Sequence, residues 1–243
     1  MYRTLDAARL VATIKVLERR IRERFPGAGL AAGCGELADA AGEAQARAAA
    51  IAKPDLRLRA LVAGILVAGF VLLLALTIVM MSGLHTSNDL FDTVQGIDSA
   101  FNIVLLMGAS LFFLVRLEDR KRRSRVLSAL HELRSIVHVI DMHQLTKDAG
   151  SGVSASVPTA SSPVRNLSSE QLLRYLDYCS ELLSLTSKVA AIYAQSYPDP
   201  VVTDAVTDLE GTATGLSQKI WQKINIIHRD LDAAGHRARA PGV

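Results

Sequence analysis

Cysteine is scarce in this 243-residue chain: Cys34 and Cys179 stand far apart, in no CxxC or metal-type spacing. That excludes a disulfide framework and a zinc site built on paired cysteines, so both read as reduced thiols. Aromatic residues make up only 5% of the chain and prolines number seven, too few for a collagen-like or proline-rich fibrous class. No HExxH, GxSxG, P-loop or GxGxxG stands in a helix-start or strand-turn context, so no catalytic residue, no cofactor and no enzymatic activity are expected. No period-two alternation marks a strand. Met1 to Phe25 contain no uninterrupted apolar run, and a cleavable signal peptide is not expected.

What is abundant is apolar side chain: half of the residues are hydrophobic and the mean hydropathy is +0.25. The distribution says more than the average. Ala60 to Met81 run for 22 residues without a charge, which as a helix measures about 33 Å against a hydrocarbon core of about 30 Å. Ser99 to Val115 give a second uncharged stretch of 17 residues, bounded by Asp98 and Arg116. Two transmembrane helices follow, and counting basic residues orients them. Residues 1 to 59 carry 11 Lys and Arg, 82 to 98 none, and 116 to 243 carry 16, so the cytoplasmic (inner) membrane is the expected location, with both termini cytoplasmic. The loop with His85, Asp89, Asp92 and Asp98 then lies outside.

Directly after the second span comes RLEDRKRRSR, with Arg116, Arg120, Lys121, Arg122, Arg123 and Arg125. A basic run in that place anchors topology and touches anionic lipid head groups, so the basic pI of about 9.0 reports on the membrane and nucleic acid is not an expected partner.

The flanking segments carry helical periodicity. Leu10, Ile14, Leu17 and Ile21 form one apolar face, ended by Pro26 and Gly27. After a glycine-containing break, an alanine-rich helix is expected from about Glu36 to Lys53. Val126, Leu130, Leu133, Val137 and Ile140 make a seam that needs a partner helix, and AGSGVSASVPTASSPVRN reads as a flexible linker. Ser168 with Gln171 forms a capping box. Leu172, Leu176, Cys179, Leu183, Thr186, Ala190 and Tyr193 then keep a four-three rhythm up to SYPDP. Asp199 and Pro200 restart a helix whose seam runs through Val202, Val206, Leu209, Ala213, Leu216, Ile220, Ile224, Ile227 and Leu231.

The fold class is therefore an all-α membrane protein: two transmembrane helices in a helical hairpin, plus a cytoplasmic helical bundle of coiled-coil-like helices. Its parts are N-terminal cytoplasmic helices (1–53), a two-span hairpin (54–117) with a short external loop (82–98), a juxtamembrane cytoplasmic helix (118–147), a linker (148–167) and a cytoplasmic antiparallel helical hairpin (168–236).

Among candidate sites, His138 and Asp141 lie three apart on one helix and are the weak metal candidates; one helix seldom supplies a full ligand set, and no metal is expected. Asp204, Asp208 and Glu210 read as polar surface. Within the spans, Ala60, Gly64 and Ala68 repeat every four residues, a stripe that admits a close helix neighbour, either the second span or another copy. Asn102 lies one turn after Asp98, so the pair shares a face near the outer surface, where it can bridge helices or line a cation-attracting mouth. The sequence favours an integral inner-membrane protein whose cytoplasmic helices mediate self-association or partner docking. The alternative is an oligomeric two-span pore or channel-like effector with Asp98 and Asn102 near its outer mouth. Expected partners are the lipid bilayer, further copies of the chain and a cytoplasmic protein.

Overall fold

The computed structural model describes residues 4–52, 56–83, 90–145 and 167–239. Among these residues every regular element is an α-helix and no strand occurs. The helices are α1 (Ala7–Arg24), α2 (Gly29–Ala52), α3 (Leu56–Gly83), α4 (Leu90–Leu145), α5 (Ser169–Ser196) and α6 (Pro200–Arg239). The chain divides into two compact units, one made of residues 1–52 and 126–243, the other of residues 53–125.

The first unit is a bundle of α1, α2, the end of α4 from Val126, α5 and α6, all contributing to one apolar core. The Asp6 carboxylate caps α1 by accepting from the amides of Ala8 and Arg9 at 3.0 and 3.2 Å, which satisfies two of the helix's free N–H groups. Leu10, Ile14, Leu17 and Ile21 are buried, as their spacing requires. Gly27 turns the chain at φ +79, a conformation that a side chain would strain. Phe25 then sits edge-on against Tyr175 and Tyr178, with ring centroids 5.4 and 6.2 Å apart.

α2 begins at Gly29, ahead of the expected start near Glu36. Its glycines do not break it, because Leu30, Cys34, Leu37, Ala38 and Ala41 keep a helical rhythm and are buried in the core, and Gly29 and Gly35 are contacts. A Cβ on Gly29 would overlap the imidazole of His143, and one on Gly35 would touch Glu18.

α5 opens with the capping box: the Gln171 amide donates to Ser168 Oγ at 3.2 Å and the Ser168 amide to Gln171 Oε1 at 2.9 Å. All seven of its seam residues are buried. α6 starts on Pro200, with Asp199 Oδ1 accepting from the amides of Val201 and Val202. Its seam is buried from Val202 to Ile227, whereas Leu231 is exposed.

The second unit holds α3 and the first part of α4. The helices are longer than the uncharged runs, because α3 extends to Gly83 and α4 starts at Leu90. Much of the stretch read as the external loop, 82–98, is therefore helical. His85 and Asp89 lie outside the described residues, as does the linker up to residue 166. Asp92 falls within α4, and nothing is described of its side chain. α4 is one uninterrupted helix of 56 residues, since no proline falls between Leu90 and Leu145. Two helices are long and apolar enough to cross a membrane, by length and composition.

Candidate functional site

The two candidate spans present an unusual surface. Leu66, Val67, Phe70, Leu74, Ile78 and Val79 on α3 are exposed, as are Phe101, Leu105, Leu106, Phe112 and Phe113 on α4. Hydroxyls in these helices bond to their own backbone: Thr77 Oγ1 donates to the Leu73 carbonyl at 2.8 Å, Ser82 Oγ to Val79 at 2.7 Å and Ser99 Oγ to Gln95 at 2.9 Å. That arrangement removes their need for water.

Ala60, Gly64 and Ala68 are exposed, and a Cβ on Gly64 would meet nothing within 4 Å. The close approach falls one position further on, where a Cβ on Gly69 would overlap Sδ and Cε of Met107. Gly69 is buried while its neighbours are not, so α3 and α4 touch on a face adjoining the predicted stripe. Asp98 and Asn102 are both exposed, one turn apart among exposed Val94, Ile97, Phe101 and Leu105.

At the C-terminal flank of the second apolar run, Arg116, Arg120, Lys121 and Arg125 are exposed while Arg122 and Arg123 are half-buried. Arg116, Arg120 and Arg123 share one face through spacings of four and three. The Arg116 guanidinium lies 5.1 Å over the Phe112 ring, so this face passes from aromatic to cationic within one turn.

His138 is exposed, and the Asp141 carboxylate accepts from Gln144 Nε2 at 2.6 Å. No group of three or more His, Cys, Asp or Glu side chains is gathered for a metal among the described residues, so the pair stands without a third ligand.

Two polar contacts that the apolar seams did not announce hold the end of α4 in the bundle. Gln144 is buried at 1% exposure, and Lys223 Nζ donates to its carbonyl at 3.0 Å and to its Oε1 at 2.7 Å. Arg47 pairs with Glu43 at 2.5 Å and with Glu132 of α4 at 3.5 Å, and also bonds the Tyr193 hydroxyl. Burial works against the Arg47 charge, but Tyr193, Glu132 and Glu43 outweigh it and raise its pKa. Burial raises the Tyr193 pKa against the pull of Arg47. Burial also pushes the thiols of Cys34 and Cys179 up to about 12, which leaves both as inert core groups at neutral pH.

One surface feature remains. Two cavities of about 480 and 560 Å³ lie along α5 and α6, with Thr13 of α1 also lining the first and Leu5 the second, and both are lined by Ser180 and Ser184. Trp221, the chain's single tryptophan, stands 63% exposed beside the first.

Comparison with protein-family models, curated proteins and solved structures finds no match to this chain.

Proposed function

We propose that the chain is an integral membrane protein, anchored in the inner membrane by α3 and the first part of α4. In this reading the helical bundle faces the cytoplasm, where it associates with further copies or docks a partner protein. The observation that carries it is the contrast between two surfaces. The bundle buries its seams, whereas eighteen large apolar side chains of α3 and α4, from Leu61 to Phe113, are exposed. At about 2 kcal/mol for each side chain fully removed from water, scaled for partial exposure, lipid recovers on the order of 20 kcal/mol. A folded domain has roughly 5–15 kcal/mol of net stability, so leaving that surface in water is prohibitive. The charge distribution supports the orientation, and the Arg116, Arg120 and Arg123 face supplies contacts to phosphate groups at the inner surface.

Alkaline carbonate extraction of membranes tests the anchor, and reagents restricted to one side of the membrane test the orientation. The chain is expected to stay with the membrane, with tags at both termini protected from external reagent. Release of soluble chain, or an exposed terminus, overturns the reading.

A second reading rests on Asp98 and Asn102. Their exposure on an otherwise apolar helix face favours a neighbouring copy over lipid at that point, as an oligomeric path across the membrane requires. Reconstituted chain would then conduct cations, with conductance reduced by Asn102→Leu and Asp98→Ala. Intact vesicle impermeability in a defined oligomer rejects this path and retains the anchor.

A further inference from the structure

We propose that the α5–α6 groove seats one amphipathic helix of a partner protein, about four turns long, with a basic side chain at the Trp221 end. This deepens the docking reading above and rests on it. Because Ser180 and Ser184 line both cavities, the two form one trough. Its long walls run on α5 from Asp177 to Ala191 and on α6 from Glu210 to Ile224, with Thr13 of α1 beside the first cavity and Leu5 beside the second. Each wall is about 21 Å long at 1.5 Å per residue, which matches a helix and exceeds what a single small ligand fills. The middle of the trough is walled by short side chains, such as Ser184, Ser187, Ala213 and Thr214; Lys188 Nζ donates to Ser184 Oγ at 2.6 Å, so this lysine swings aside as a third backbone approaches closely.

Chemistry differs between the ends. Ile220, Ile224 and Leu185 give the first cavity an apolar floor, with the exposed face of Trp221 beside it. Its charged lining is Asp177 and Glu181, with no lysine or arginine. Arg174 reaches Asp177 at 3.6 Å from the rim, which leaves Glu181 to pair with an incoming cation. The second cavity holds Lys188 and Glu210 together and is balanced. A carboxylate beside an indole face selects a guanidinium or ammonium through ion pairing and cation–π attraction, and the same acidic rim repels anionic lipid. The apolar floor takes the helix's hydrophobic side, as in helix-in-groove recognition.

The test uses the full chain in phosphatidylcholine nanodiscs and a fluorescein-labelled helical probe of 16 residues, free of Trp and Tyr. The probe carries an Ala/Leu stripe ending in one arginine. The expected result is saturable anisotropy, accompanied by a blue shift of Trp221 emission with unlabelled probe. Glu181→Gln and Trp221→Ala are each expected to weaken binding about tenfold. A probe with Gln in place of the arginine loses a similar factor and no longer responds to Glu181→Gln. Ser184→Phe and Thr214→Phe plug opposite walls, and both are expected to abolish binding with an unchanged helical signal. Absence of saturable binding, or binding indifferent to both plugs and to Glu181→Gln, overturns the proposal. So does chain mass that falls from oligomer to monomer on plugging without probe, because the occupant is then a second copy. The carbonate and orientation results stand apart from all of these, so the groove can fail while the anchored bundle survives.

Discussion

Lys223→Met probes the least expected contact of the bundle. Lys223 Nζ is the donor to both the carbonyl and the side-chain oxygen of Gln144, at 3.0 and 2.7 Å, and Gln144 is 1% exposed. Gln144 lies in the last turn of α4, where a positive charge also meets the negative end of the helix dipole. Methionine keeps the apolar stem but leaves the Gln144 oxygen buried and unpaired, a loss of about 2–3 kcal/mol. In a bundle of this size that lowers the midpoint of thermal unfolding by roughly 5–10 °C. Gln144→Leu combined with Lys223→Met removes the orphaned side-chain amide with its partner, while the Gln144 backbone carbonyl and the Asp141 carboxylate each lose a donor, so the double variant is expected to be less destabilised than the sum of the two single variants. Circular dichroism and Trp221 emission, followed during melting in detergent, read both effects. The reasoning fails if Lys223→Met melts within 1 °C of the parent, or if the two substitutions prove additive.

Gly29→Val places a side chain where the His143 imidazole lies, so it is expected to lower stability by about 1–3 kcal/mol, with His143→Ala restoring part of the loss in the same melts. Gly69→Ile collides with Met107 and is expected to reduce thermal stability of the spans in detergent. Gly64→Ile has open space and is expected to spare that stability; any drop in its oligomeric mass then locates a contact between copies. Stability is also expected to fall in alkali, because Cys34 and Cys179 shift from an ordinary value of 9.0 to about 12 in the fold. Below pH 9 both states hold the protons and the contribution is complete; between pH 9 and 12 the unfolded chain releases protons that the folded chain keeps, and it is lost. Denaturant titrations across that window should show a shallower decline for Cys34→Ala and Cys179→Ala, and an unchanged slope counts against burial as the cause.

The seams were legible because burial selects apolar residues at the helical period and nothing else does so over many turns. Leu10 to Ile21, Val126 to Ile140, Leu172 to Tyr193 and Val202 to Ile227 all turn their marked positions into the core. The glycines near residue 30 misled because glycine carries two meanings: freedom where φ is positive, as at Gly27, and absence of bulk where another side chain crowds in, as at Gly29. Only the position of His143 in space separates the two. The close approach of α3 and α4 fell on Gly69 rather than on Gly64 for a related reason, since a small-residue stripe shows where a neighbour can fit and not which neighbour comes.

Polar contacts were readable only in part, and their failure is instructive. Gln144 follows Ile140 by four residues, in register with the seam from Val126, but the seam was read only as far as its last apolar residue, and a polar side chain at that period was passed over. The period could not point to Lys223, 79 residues on, because the pairing depends on how far α6 is slid along α4. Tyr193 shows the same division: its place at the end of the α5 seam was legible, whereas Arg47 as the group that meets its hydroxyl was not. The α5–α6 groove lies beyond reach for the same cause. Ser180, Ser184 and Ser187 carry no pattern of their own on α5, and only the opposition of α6, with Thr13 of α1 alongside, converts their shortness into a trough beside Trp221. Sequence periodicity thus fixes which side chains turn inward, while the surfaces that bind others arise from the relative slide of helices, a quantity no single segment encodes.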